Sequence, residues 1–105
     1  MKVSLIASAL AILTNVVPGA AFGAGDADAG GRLSRERCSG CHTVDAVGPG
    51  TDAAPPFSRI AKNWGQDRSW LRTWLTNPHP QMPEMNLSPT EIENIIAYLG
   101  TLRKD

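Results

Sequence analysis

Residues 38 to 42 read Cys-Ser-Gly-Cys-His and contain both cysteines and one of the two histidines of the chain. A Cys-x-x-Cys pair has several established uses: metal ligation, thiol–disulfide exchange, covalent attachment of a haem, or a plain short-range disulfide. Each use makes a different demand on the rest of the sequence. Exchange of the thioredoxin type needs the pair at the start of a helix that follows a strand. Here the pair falls at the end of an expected helix, where the macrodipole disfavours a thiolate, and no segment alternates convincingly as a strand. A structural zinc ion needs four ligands. Cys38, Cys41 and His42 supply three, and His79 is the only candidate for a fourth. Haem attachment uses both thiols, on the two vinyl groups along one porphyrin edge, and explains His42 as the proximal iron ligand.

A second axial ligand would come from Met82, Met85 or His79. A methionine more often fills a core gap than binds a metal. Met82, however, lies in Asn-Pro-His-Pro-Gln-Met-Pro-Glu-Met-Asn, residues 77 to 86, where Pro78, Pro80 and Pro83 forbid regular helix and call for a stiff extended segment. A stiff loop can present a thioether at small ordering cost. Met82 is therefore the first choice. Met85 is read as packing on the haem or the core, and His79, between two prolines, as a surface residue.

The elements that must position these groups are short helices. Gly-Asp-Ala-Asp-Ala-Gly-Gly-Arg-Leu-Ser-Arg-Glu-Arg-Cys-Ser-Gly-Cys-His, residues 25 to 42, reads as a short helix that leads into the cysteines, with Asp26 or Asp28 as its cap. Residues 43 to 56 are rich in Gly, Pro and Asp and read as loop. Phe57, Ile60, Ala61 and Trp64 recur at helical spacing, as do Trp70, Leu71, Trp74 and Leu75. Ser88-Pro89-Thr90-Glu91 is a capping box with proline at the first helical position, followed by an apolar stripe of Ile92, Ile95, Ile96, Leu99 and Leu102. The expected fold is all-α, three to five short helices with long loops.

The chain has 105 residues, with 10 Lys+Arg and 10 Asp+Glu. That length sets one domain. Lys2, the apolar run from Val3 to Val17 and the small residues after Pro18-Gly19 read as a secretory signal, residues 1 to 23, with cleavage between residues 21 and 24. The run is diluted by Ser4, Ser8, Thr14 and Asn15, and is short of the roughly 20 apolar residues of a membrane span. Removing 23 residues from 105 leaves 82, residues 24 to 105, and losing Lys2 leaves nine basic and ten acidic side chains. No basic cluster calls for nucleic acid. So small a domain builds a marginal core alone, and a cofactor supplies the missing apolar volume.

The motifs CSGCH, APPF, WLTNPHPQMPEMNLS and EIENIIAYL, spread over residues 26 to 103, make the chain resemble a class I c-type cytochrome, a small bacterial one exported to the periplasm. The resemblance implies an N-terminal helix, a C-terminal helix crossing it and a Met-bearing loop, all wrapped around one covalent haem c. It implies thioethers at Cys38 and Cys41, with His42 and Met82 as the axial ligands. Pro55 would accept a hydrogen bond from the His42 ring, and Phe57 would pack beside the haem. Gly30, or Gly31 if the register slips by one, would allow the close crossing, with Tyr98 against it. The family often has an aromatic at the position of Ser34; Leu33 is expected to fill that space. For Trp64, Trp70 and Trp74 two roles stay open: one indole reaching a haem propionate, or three core aromatics.

With both axial sites closed, the expected function is periplasmic one-electron transfer by a monomer, without enzymatic turnover. Redox proteins would dock transiently at the exposed haem edge, and no stable membrane span would remain after signal cleavage. The alternatives are a haem subunit of a periplasmic dehydrogenase complex and a gas- or peroxide-binding haem protein; the latter would need an open distal site.

Overall fold

A computed structural model describes residues 11–12, 25–77 and 79–103. The expected signal segment lies almost wholly outside these residues. The described residues form four helices and no strand, which bears out the all-α expectation. Helix α1 spans Ala27–Arg37, α2 Phe57–Trp64, α3 Arg68–Thr76 and α4 Pro89–Thr101.

Local chemistry starts and stops each helix. Of the two candidates, Asp26 is the cap of α1, its carboxylate accepting from the Ala29 N–H at 3.1 Å. Arg35 and Arg37 occupy the last turn of α1, where cations oppose the partial negative charge of the helix end. Pro56 precedes α2 in extended backbone, as a proline before a helix should. Asp67 caps α3 by accepting from the Trp70 N–H at 2.8 Å. In α4 the capping box is complete: Ser88 Oγ accepts from the Glu91 N–H at 3.1 Å, and Glu91 returns the bond to the Ser88 N–H at 2.9 Å.

The helices meet at a crossing of α1 and α4 with almost no side chain between them. A Cβ built on Gly30 would stand 1.9 Å from the Asn94 carbonyl oxygen, and one on Gly25 would stand 2.0 Å from that of Glu93. The two backbones therefore touch, and only glycine permits it. Asn94 also accepts from the Asp26 N–H at 2.8 Å, so the crossing is hydrogen-bonded at its rim. Gly31 has a different role. Its missing Cβ leaves room for the Tyr98 ring, 3.0 Å from that position, and the Tyr98 hydroxyl donates to the Val44 carbonyl at 2.7 Å. The register is the one expected from Gly30.

One turn beyond Gly30, Ser34 is fully buried and its hydroxyl has no hydrogen-bond partner. Leu33 is partly buried against the core. The core itself is Val44, Phe57, Ala61, Leu71, Ile92, Ile95, Ile96, Leu99 and Leu102. The whole predicted stripe of α4 is in it. Leu71 brings α3 onto this stripe, and Glu93 reinforces the contact, binding Arg72 Nε at 2.6 Å and Arg68 Nη2 at 3.2 Å.

Two outcomes follow from this packing. Gly30→Ala should lose about 2–3 kcal/mol in denaturant unfolding of the holoprotein, because overpacking two backbones outweighs the gain in helix propensity. Gly100→Ala, whose Cβ meets nothing within 4 Å, should instead gain up to about 1 kcal/mol. Equal effects at the two sites would disprove the contact.

The Glu93 carboxyl is held below the usual range, first by its bond from Arg72 and then by that from Arg68, against the cost of burial. A depressed folded pKa stabilises above the unfolded value and ceases to do so as pH falls through the folded one. Wild type should therefore exceed Glu93→Gln in stability above about pH 4.3, and the difference should vanish on further acidification, as followed by helical circular dichroism.

Candidate haem site

Helix α1 delivers the two cysteines at its end. Cys38 caps it, its N–H donating to Ser34 O at 2.8 Å, and the chain then folds back so that the N–H groups of Cys41 and His42 both donate to Cys38 O, at 3.2 and 2.9 Å. Ser39 Oγ closes the turn onto Arg35 O at 2.5 Å. Both cysteines are unbridged, Cys38 half-buried and Cys41 exposed. Burial pushes the Cys38 thiol pKa up, with the Arg37 charge opposing it. That environment is the reverse of the one that activates an exchange thiol. Among the described residues, no cluster of three or more His, Cys, Asp or Glu side chains is placed to hold a metal ion, so the zinc reading lacks its ligand set.

The loop from Thr43 to Pro56 is built around hydroxyls. Thr51 Oγ1 donates to the Cys41 carbonyl and accepts from the Ala54 N–H, and Thr43 Oγ1 donates to the Pro49 carbonyl. Phe57 N–H closes the loop on Thr43 O at 2.9 Å. This closure brings the Pro55 carbonyl to 2.6 Å from His42 Nδ1. A carbonyl can only accept, so Nδ1 carries the hydrogen and Nε2 is left with its lone pair free. Phe57 meets the same imidazole edge-on, with ring centroids 5.2 Å apart and planes at 64°. Two free thiols in the turn before an imidazole whose Nε2 lone pair is left free fit the donor set that a covalent haem would require.

Met82 lies in a second cluster, a shallow pocket lined by Trp74, Leu75, His79, Pro83 and Met85 among others. The chain just before it is a β-turn, not the extended segment expected from its prolines, because Pro80 is also suited to the second position of a turn. Met82 N–H donates to His79 O at 3.0 Å, Pro80 takes the second position, and Gln81 has φ of +73° in the third. Proline followed by positive φ defines a type II turn, in which the third position favours glycine or asparagine, so Gln81 is strained. Asn86, with φ of +49°, is a residue better suited to that region.

His79 corrects the expectation of a surface residue. It is half-buried, its Nδ1 is buried without a partner, and its ring lies 4.1 Å from that of Trp74. The imidazole ends a ladder: Trp64 stacks on Trp70 at 4.1 Å and Trp70 on Trp74 at 5.0 Å, with planes within 11° of parallel. Trp64 and Trp74 stay 40% and 45% exposed, and each covers one face of Trp70, which packs against the core. Sequence reasoning had no means to see this, because spacing places the rings on one helical face but not face to face across two helices.

The structure thus brings Cys38, Cys41, His42, Pro55 and Phe57 together and sets Met82 on a neighbouring loop. Sequence reasoning missed Arg37, whose guanidinium donates to the Met85 carbonyl and so ties α1 to that loop. Its only signal was its place next to Cys38.

An all-helical domain with an attachment turn and an oriented imidazole is that of a small c-type cytochrome. The profile of the family described as cytochrome c oxidase, cbb3-type, subunit III matches residues 25–99. Cytochrome c-552 of Bradyrhizobium diazoefficiens is 39% identical over 82 residues, which cover 76% of this chain and 78% of that protein. No solved structure matches. The chain belongs to this cytochrome c family, as the sequence resemblance implied, and membership implies haem c as its cofactor.

Proposed function

We propose that this chain is an exported, one-electron carrier with a single haem held by thioethers at Cys38 and Cys41 and ligated by His42 and Met82. The observation that carries the reading is the bond of 2.6 Å from His42 Nδ1 to the Pro55 carbonyl. It orients the ring, leaves Nε2 as a ligand and raises its basicity. Bound there, the haem would supply an iron that gains and loses one electron.

The protein's part is to close the site. Met82 supplies a soft thioether, which favours the reduced metal and raises the potential. With no coordination position open to a substrate, the chain has no reaction to catalyse, and gas or peroxide chemistry is suppressed. Phe57 and the apolar face of α4 exclude water from the attachment side. Partners meet such a domain at the haem edge in small, transient contacts. The apolar segment before residue 24 fits a signal that sends the chain to the periplasm. A second reading, a haem subunit of a larger complex, is favoured by the family's description as an oxidase subunit.

Protein purified from its native source should elute as a monomer. By mass spectrometry it should begin between residues 22 and 25, with one haem added. It should keep that haem through acid–acetone extraction. Loss of the haem to the solvent would remove the thioether assignment, and elution with larger partners would favour the subunit reading.

Met82→Ala should abolish the weak ferric charge-transfer band of a thioether ligand, lower the potential and open the iron to carbon monoxide. Met85→Ala should do much less. The reverse pattern would make Met85 the ligand. A spectrum unchanged in both variants would point to His79 and restore the gas-binding alternative.

A further inference from the structure

Arg37 stands at the junction of three parts of the molecule. It is the last residue of α1, and the attachment turn begins at the next position, Cys38. Its guanidinium Nη2 donates to the main-chain carbonyl of Met85, 48 residues away in the loop that carries Met82. Its charge also reaches the start of α4, where it adds to the stronger effect of the Ser88 bonds in holding Glu91 ionised. The haem function uses none of these contacts.

The loop needs a restraint of this kind. At its start, the turn closed by Met82 and His79 forces Gln81 into the left-handed region, and Asn86 enters the same region at the far end. Side chains with a Cβ are disfavoured there and persist only when their surroundings hold them. Trp74 stacks on His79 at the entrance of the loop, and Leu87 packs on the core at its exit. Between these anchors lie Met82, Pro83, Glu84 and Met85. The Arg37 bond falls within this span, three residues beyond Met82, and joins it to the helix that carries the cysteines. Arginine suits the task because its planar fork stays charged and can meet a carbonyl at the end of a long side chain.

We infer that Arg37 is a positioning residue for the distal ligand: by holding the Met85 carbonyl it keeps the strained loop closed and Met82 on the iron. The inference rests on Met82 being that ligand. When the tether is cut, the loop should open more often, and an added ligand that competes with Met82 should bind more tightly, because its apparent affinity scales with the open fraction.

The test is titration of ferric holoprotein with imidazole, followed in the haem absorption spectrum. Arg37→Ala should bind imidazole about fivefold more tightly than wild type, the loss expected for one charge-assisted hydrogen bond partly open to water. Arg37→Lys, which can still donate to the carbonyl, should stay within about twofold of wild type. In a Met82→Ala background the Arg37→Ala change should have no effect, since no thioether remains to be held. Unchanged imidazole affinity in Arg37→Ala would overturn the inference. So would a tightening of the same size in the Met82→Ala background, because Arg37 would then act on the haem site and not through the loop. Failure of the ligand assignment is read separately: Met82→Ala alone would bind imidazole no more tightly than wild type, and the inference would fall with it.

Discussion

The structure depends on the absence of one atom. With no Cβ at Gly30, the backbone of α1 rests on the Asn94 carbonyl of α4, and every other placement is measured from that contact. It sets the height at which α1 ends, and so where Cys38 begins the attachment turn. It brings Tyr98 over Gly31, from where its hydroxyl reaches Val44 and holds the start of the long loop. It also turns the apolar stripe of α4 inward, where Phe57, Ala61 and Leu71 of the two middle helices pack against it. A methyl group at this position would act on the site without touching a single residue of it.

Order around the site is built from backbone carbonyls more than from side-chain pairs. The Pro55 carbonyl selects the tautomer of His42, the Val44 carbonyl receives Tyr98, and the Met85 carbonyl receives Arg37. Carbonyls do not titrate, so these restraints keep their strength across a wide pH range. The acid-sensitive contacts are those of carboxylates: Glu93 of α4 with Arg68 and Arg72 of α3, Glu91 with Ser88, and the exposed pair Arg35–Asp45. The division suits an electron carrier, whose site geometry should change little while its surface charges respond to the medium.

The Met-bearing loop is the least relaxed part of the described chain. Its prolines stiffen it, but stiffness alone does not aim Met82. Gln81 sits where glycine would be at ease, and the loop stays folded because Trp74, Leu87 and Arg37 hold it at three points. Strain held in this way is usual at ligand clamps, where the surroundings impose a conformation that the local sequence would not choose.

By itself, the sequence determined the helices and carried the motif on which the proposed haem attachment rests. Caps, proline positions and apolar spacing are local signals, and they placed α2, α3 and the capping box of α4 on the residues observed. The five residues from Cys38 to His42 carry that motif in their own spacing. Resemblance to a family supplied Pro55 and Gly30, and the structure puts both where that resemblance implied. What only the tertiary structure decided is whatever joins segments far apart in the chain: the bond from Arg37 to Met85, the stacking of Trp64, Trp70 and Trp74 with His79, and the partial burial of His79. These contacts depend on how α1 and α3 are carried onto α4. That is fixed by a backbone approach which no local pattern records, because a glycine reads the same in a sequence whether or not another helix rests against it.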